Sequence, residues 1–158
     1  LPRELTVRNG KLCQQPVEEL KELRDGNGEN CLFSNPGGES ALLADSFVYE
    51  AEVELENCES LQMTLRDGVI FCYEDHRAVL DLGNVGSGRT TRSAALDSLR
   101  NLRIFADTSS IEIFINDGEE VFTSRMYSRE GRVSLSGICK GKMTLYPLKK
   151  ITIEDLDV

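Results

Sequence analysis

The sequence predicts an all-β protein, a β-sandwich or barrel, preceded by an N-terminal arm that carries one short helix. Three observations point there. From about residue 30 the apolar residues recur with a period of two. Turn residues punctuate the chain every ~8–12 residues. After the arm, no stretch shows the longer period of an extended amphipathic helix. The chain has 158 residues, 40% hydrophobic and 28% charged, the length of one domain with a core of its own.

The arm comes first. LPRELTVRNGKLCQQP contains two prolines and reads as extended, and VEELKELR places Val17, Leu20 and Leu23 at near-helical spacing behind Pro16. This predicts a short helix over about 17–24, a linker arm over 1–29 and a sandwich domain over 30–158. DGNGENC follows as a loop. SFVYEAEVELE then alternates, with Phe47, Tyr49, Ala51, Val53 and Leu55 on one face. Val48 and four glutamates occupy the other face, which reads as wet and acidic. In LQMTLRDGVIFCYE, Asp67-Gly68 fits a two-residue type I′ hairpin that sets Leu65 opposite Ile70 and Met63 opposite Cys72.

Residues 102–124 read as a three-stranded meander. A turn at Thr108-Ser109 pairs Leu102 with Ile115, Ile104 with Ile113 and Ala106 with Ile111. A turn at Asp117-Gly118 pairs Phe114 with Val121 and Ile113 with Phe122. Both faces carry bulky apolar residues, so both should be covered. Arg103 lies diagonal to Glu112 in this register, close enough for an ion pair. GRVSLSGI, KMTLYPL and KKITIEDL complete the strands, with Pro147 expected at an edge or strand end.

Composition excludes several functions. The charge of −9 repels phosphate backbones and anionic lipid, so nucleic-acid and membrane-surface partners are not expected. One His and no C-x-x-C pair leave no ligand set for zinc. Five scattered cysteines (Cys13, Cys31, Cys58, Cys72 and Cys139) read as reduced structural thiols, pointing to a cytoplasmic parent protein. The chain starts at Leu1 and reads as a piece of something longer.

The residues that could carry chemistry are few. His76, between Asp75 and Arg77, reads as a surface histidine in a polar turn. Gly83 to Arg92, GNVGSGRTTR, reads as a loop between strands, with Arg89 and Arg92 as candidate anion contacts. Asp107, Glu112 and Asp117 are the carboxylates to weigh for glycoside chemistry. Asp107 and Asp117 fall at opposite ends of the meander, too far apart for the ~5–10 Å that one glycosidic bond requires. A sugar-binding module is the second reading of an acidic sandwich. The absence of Trp and a count of four Tyr leave few ring platforms for it.

The stretch LRIFADTSSIEIFINDGEEVFTSRMY, Leu102 to Tyr127, resembles the C-terminal β-sandwich module of glycoside hydrolase family 32, which contains invertases, sucrose-6-phosphate hydrolases, inulinases and levanases. The arm, Leu1 to Arg24, is similar to that family's inter-domain linker, and GKMTLYPLKKI to its bacterial sucrose-6-phosphate branch. The pattern is carried by Arg103, Phe105, Asp107, Glu112, Phe114, Asn116, Asp117 and Gly118. Cys13 departs from it where Tyr is common, and Ser128 where Pro is common.

The resemblance implies a two-layer antiparallel jelly-roll of the lectin and glucanase type. It also implies a five-bladed propeller as packing partner; the two apolar faces of the meander leave homo-oligomerisation as a further option, and no cofactor is expected. The family's catalytic residues sit in W-x-N-D-P-N-G, E-C and R-D-P segments of the propeller. This chain has none of them, so no catalytic, cofactor-binding or metal residue is expected here. The implied role is the non-catalytic sandwich of a β-fructofuranosidase, inactive alone; the alternative is a fructan-binding, lectin-like module.

Overall fold

A computed structural model describes residues 1–36, 41–44 and 47–149. The chain begins with a hairpin of β1 (Arg3–Arg8) and β2 (Lys11–Pro16), which among the described residues forms a two-stranded sheet of its own. Its turn is Asn9-Gly10, both at positive φ, as a type I′ turn requires. The arm is therefore folded back rather than extended. A 3₁₀ turn over Glu18–Leu23 follows, tighter than an α-helix and with Leu20 buried.

The remaining strands are β3 (Glu29–Pro36), β4 (Ala41–Ala44), β5 (Tyr49–Arg66), β6 (Val69–Glu74) and β7 (Arg77–Asp81). After them come β8 (Thr91–Ala95), β9 (Asn101–Ala106), β10 (Ser110–Ile115), β11 (Glu120–Arg125) and β12 (Val133–Pro147). All paired strands are antiparallel.

The two layers are joined by two long strands, where the sequence suggested several short ones. Residues 49–54 of β5 pair with β9, and residues 61–66 pair with β6. β12 runs beside β5 along both halves, with register shifts at Ile138/Cys139 and Lys140/Gly141. Bulges of this kind let a strand bend out of one sheet into the other. One layer is thus β11-β10-β9 with the first half of β5, and the other is β8-β7-β6 with the second half.

Between the layers lies the main core. It is built from Tyr49, Ala51 and Val53 on one side and Met63, Leu65 and Phe71 on the other, all at most 1% exposed. Phe71 meets Phe122 across the gap, with ring centroids 6.5 Å apart. A smaller cluster, Leu20 with Phe105 and Phe114, sits on the outer face of the meander under the arm, so both meander faces are covered.

The meander register agrees with the sequence at every pair named above. The β5–β6 hairpin does not. Met63 faces Phe71 and Gln62 faces Cys72, because a bulge between Thr64 and Arg66 absorbs one residue. The core face of β6 is accordingly Val69, Phe71 and Tyr73, and Ile70 and Cys72 turn outward. The turn itself is not type I′, since only Gly68 of the pair has positive φ. The expected wet face of β5 also needs correction: Glu50 is fully buried. Pro147 closes β12, at a strand end. The strand read into KKITIEDL lies outside the described residues beyond Lys149.

Candidate functional site

The residues that carry the meander pattern gather on and around its outer face. Strand alternation sends Arg103, Phe105, Glu112 and Phe114 away from the main core. Phe105 and Phe114 stack edge to face, centroids 6.2 Å apart, with Leu20 of the 3₁₀ turn beside them. The arm then adds charge above this apolar floor. Arg3 Nη2 donates to Glu112 Oε2 and to Thr123 Oγ1, both at 2.7 Å, and its guanidinium lies 5.4 Å from the Phe114 ring centroid.

The ion pair expected between Arg103 and Glu112 is absent. Arg103 Nε donates to Glu50 Oε1 at 2.7 Å and lies 3.9 Å from Glu52. Arg103 sits directly opposite Glu52 on β5, whereas Glu112 is across from Phe105 and is claimed by Arg3. Arg24, just after the 3₁₀ turn, completes the network. Its Nε and Nη2 donate to the two oxygens of Glu50 at 2.7 Å each, and Nη2 reaches Glu52 at 2.5 Å. The Tyr146 ring lies 3.7 Å from the Arg24 guanidinium. Sequence reasoning missed both Arg24 and Glu50. The usable signal was Asn9-Gly10 between alternating Leu5, Val7 and Leu12, a hairpin pattern that folds the arm onto this face.

The β10–β11 turn anchors the same arm. Asn116, Asp117 and Gly118 all have positive φ. Asn116 Oδ1 accepts from the Arg100 backbone N–H at 2.8 Å and its Nδ2 donates to the Ser98 carbonyl at 2.7 Å. The Gly118 carbonyl accepts from the Gln14 backbone N–H at 3.0 Å, joining turn to hairpin. Asp107 stands at the other end of the meander, where its Oδ1 accepts from the Thr108 N–H at 2.7 Å. Asp107 and Glu112 line one pocket, but Glu112 is held by Arg3 and Asp107 by the Thr108 N–H.

Arg89 and Arg92 lie apart from all of this. Arg89 is exposed after a 3₁₀ turn at Gly83–Gly86, and Arg92 is on β8, at the opposite end of the strand path from β11. The structure brings neither to the meander. His76 is an exposed residue of a tight turn, its Nδ1 2.7 Å from the Asp97 carbonyl. Among the described residues, no three metal-ligating side chains come together, and no helix is long and apolar enough to cross a membrane.

All five cysteines are free. Cys58 and Cys139 are direct cross-strand partners on β5 and β12, where the strands bend between layers. Burial, reinforced by the neighbouring Cys139, pushes the Cys58 thiol up to about 12. A folded-state value above the unfolded one means the native chain keeps a proton that the unfolded chain releases. That contribution is whole below the unfolded thiol value and is lost as pH climbs from there towards about 12. Urea unfolding between pH 8 and the onset of base denaturation should therefore show falling stability. The fall should be shallower in Cys58→Ala; an unchanged slope in that variant would contradict the assignment.

Comparison with known proteins places this architecture. The family described as glycosyl hydrolases family 32 C terminal matches residues 12–155. Sucrose-6-phosphate hydrolase of Staphylococcus xylosus is 33% identical over 176 residues, covering 97% of this chain and 35% of the relative. Raffinose invertase of Escherichia coli is 32% identical over 154 residues, covering 86% of this chain and 30% of that protein. The solved sucrose-6-phosphate hydrolase of Lactobacillus gasseri shares the fold, with TM-score 0.76, 23% identity, and coverage of 95% of this chain and 33% of that one. The chain thus spans about a third of the length of the relatives it matches. It belongs to the C-terminal domain family of the family 32 glycosyl hydrolases.

Proposed function

We propose that this chain is the non-catalytic C-terminal sandwich of a β-fructofuranosidase acting on sucrose or sucrose 6-phosphate. Its work is to pack against a catalytic domain that precedes it, with residues 1–29 as the linking arm and 30–158 as the sandwich. The retaining, two-carboxylate hydrolysis belongs to that preceding domain.

The observation that carries this reading is an apolar stripe on the outward face of the N-terminal hairpin. Val7 and Leu12 are direct cross-strand partners, and Leu5 lies two residues along the same face. They are 73%, 56% and 60% exposed. Large side chains grouped in the open at the domain's N-terminal side suit a partner surface better than water.

Two measurements test it. The chain alone, at stoichiometric concentration, should release no glucose from sucrose above a buffer blank; release would overturn the reading. In a protein carrying the preceding domain, Val7→Asp should lower the thermal midpoint by several degrees. The same change in the isolated chain should leave the midpoint nearly unmoved. Equal effects in both contexts would remove the packing role.

A further inference from the structure

We infer that Cys58 and Cys139 join in a disulfide when the chain meets an oxidant of the small-molecule disulfide class. The bond latches β5 to β12 where both strands pass from one layer to the other. It is independent of what precedes the chain and of any role in packing.

Placement carries the inference. Cys58 and Cys139 are register partners on adjacent antiparallel strands, and Cys139 lies between the two register shifts of that pair. Directly opposed residues in such a ladder have Cα atoms ~4.5–5.5 Å apart in either hydrogen-bonding class. Disulfides span Cα separations of ~4.4–6.8 Å, so the strands need not move apart or together to be bridged. Opposed side chains also share a face. Both thiols belong to the inter-layer core, Cys139 as a buried member and Cys58 packed against it. Cys139 is near enough to contribute to the upward shift of the Cys58 thiol. The other three cysteines face different residues: Cys13 faces Thr6, Cys31 faces Met143, and Cys72 faces Gln62 and Val79.

The two thiols differ in access. Cys58 is half-buried, whereas Cys139 is 2% exposed. The Cys58 thiolate therefore attacks first, on one sulfur of a small disulfide such as oxidised glutathione. A mixed disulfide forms and one thiolate leaves. The Cys139 thiolate then attacks the Cys58 sulfur, forming the protein disulfide and expelling the second thiolate. The two cysteines lose two protons and two electrons, and the oxidant becomes two thiols. Burial raises both thiols, so little thiolate is present at neutral pH and the latch answers sustained oxidant more than a brief pulse.

The bond closes a covalent loop that contains β6 to β11. Its main effect falls on the unfolded chain, whose freedom such a loop restricts. An oxidised chain thus resists unfolding with no new packing in the folded state.

The test is incubation of the intact chain with oxidised glutathione at about pH 8.5, where more of each thiol ionises. Alkylation, peptide mass mapping and thermal unfolding follow. The expected product has lost two hydrogens and links the Cys58 and Cys139 peptides. Its thermal midpoint should rise by about 5–10 °C and return to the starting value with dithiothreitol. Cys58→Ala treated in the same way should show neither link nor rise, and Cys72→Ala should show both. No protein disulfide at equilibrium, a link dominated by another cysteine pair, a link without a rise in midpoint, or a rise that persists in Cys58→Ala would each overturn the proposal.

Discussion

Glu50→Ala is expected to lower the unfolding free energy by ~3–5 kcal/mol, the range for removing one member of a buried ion network. Glu50 has no solvent exposure, and its two oxygens accept three hydrogen bonds at 2.7 Å from Arg24 and Arg103. Those arginine side chains are only 14% and 18% exposed. Removing the carboxylate leaves both guanidiniums out of water with half-exposed Glu52 as their remaining acid partner in the network.

The loss should come from that uncompensated charge more than from the missing attraction, so Glu50→Gln, which keeps an acceptor, should fall between wild type and alanine. Glu54→Ala, an exposed glutamate on the same face of β5, should change stability by no more than ~0.5 kcal/mol. Urea unfolding of the three variants provides the comparison. If Glu50→Ala and Glu54→Ala cost the same, the network does not hold the arm to the sheet.

Gly118→Ala is expected to cost ~2–4 kcal/mol, combining backbone strain with the loss of the turn-to-hairpin hydrogen bond. Gly118 has φ of +84°, a region L side chains rarely adopt. A Cβ there would also overlap the Gln14 carbonyl oxygen. The adjoining Asn116 and Asp117 already occupy positive φ, so the turn has little freedom to yield. The hairpin must move instead, and the Gln14 N–H to Gly118 carbonyl bond is what it gives up.

Gly88→Ala separates the two effects. Gly88 has nearly the same φ, +86°, but nothing lies within 4 Å of its virtual Cβ. It should show the strain alone, ~1 kcal/mol. Gly118→Ala should in addition speed limited proteolysis within residues 1–16 while the sandwich resists. Equal thermal midpoints for the two variants would show that the close approach to Gln14 carries no weight.

These two residues mark what could be read from sequence and what could not. The meander was legible to the residue. Its two turns and the alternation of Ile104, Ile111 and Ile113 define pairs between neighbouring strands, where a one-residue slip would expose the apolar set. The same reasoning slipped at the β5–β6 hairpin, because a bulge adds one residue and leaves the period of two intact on either side. Arg66, beside the bulge, is fully buried and donates to the Phe47 and Thr108 carbonyls, partners that lie outside LQMTLRDGVIFCYE.

The glutamates of β5 show the limit again. Glu50, Glu52, Glu54 and Glu56 alternate identically in sequence, yet Glu50 is buried, Glu52 is half-buried, and Glu54 and Glu56 are exposed. What distinguishes them is Arg24, which arrives with the folded arm, and Arg103, which arrives with β9. Arg103 stood within reach of Glu112 on paper, but Arg3 reaches Glu112 first and leaves Arg103 to Glu50.

The sequence by itself determined the all-β class, the strands of the meander and their register, and the turn residues that define them. Periodicity and turn chemistry act over a few residues and survive any packing arrangement. Only the tertiary structure decided which carboxylate is buried, which arginine meets it, and that the arm folds onto the outer face of the meander. Those outcomes depend on groups far apart in the chain competing for the same low-dielectric space. There, desolvation penalises any charge left without a partner.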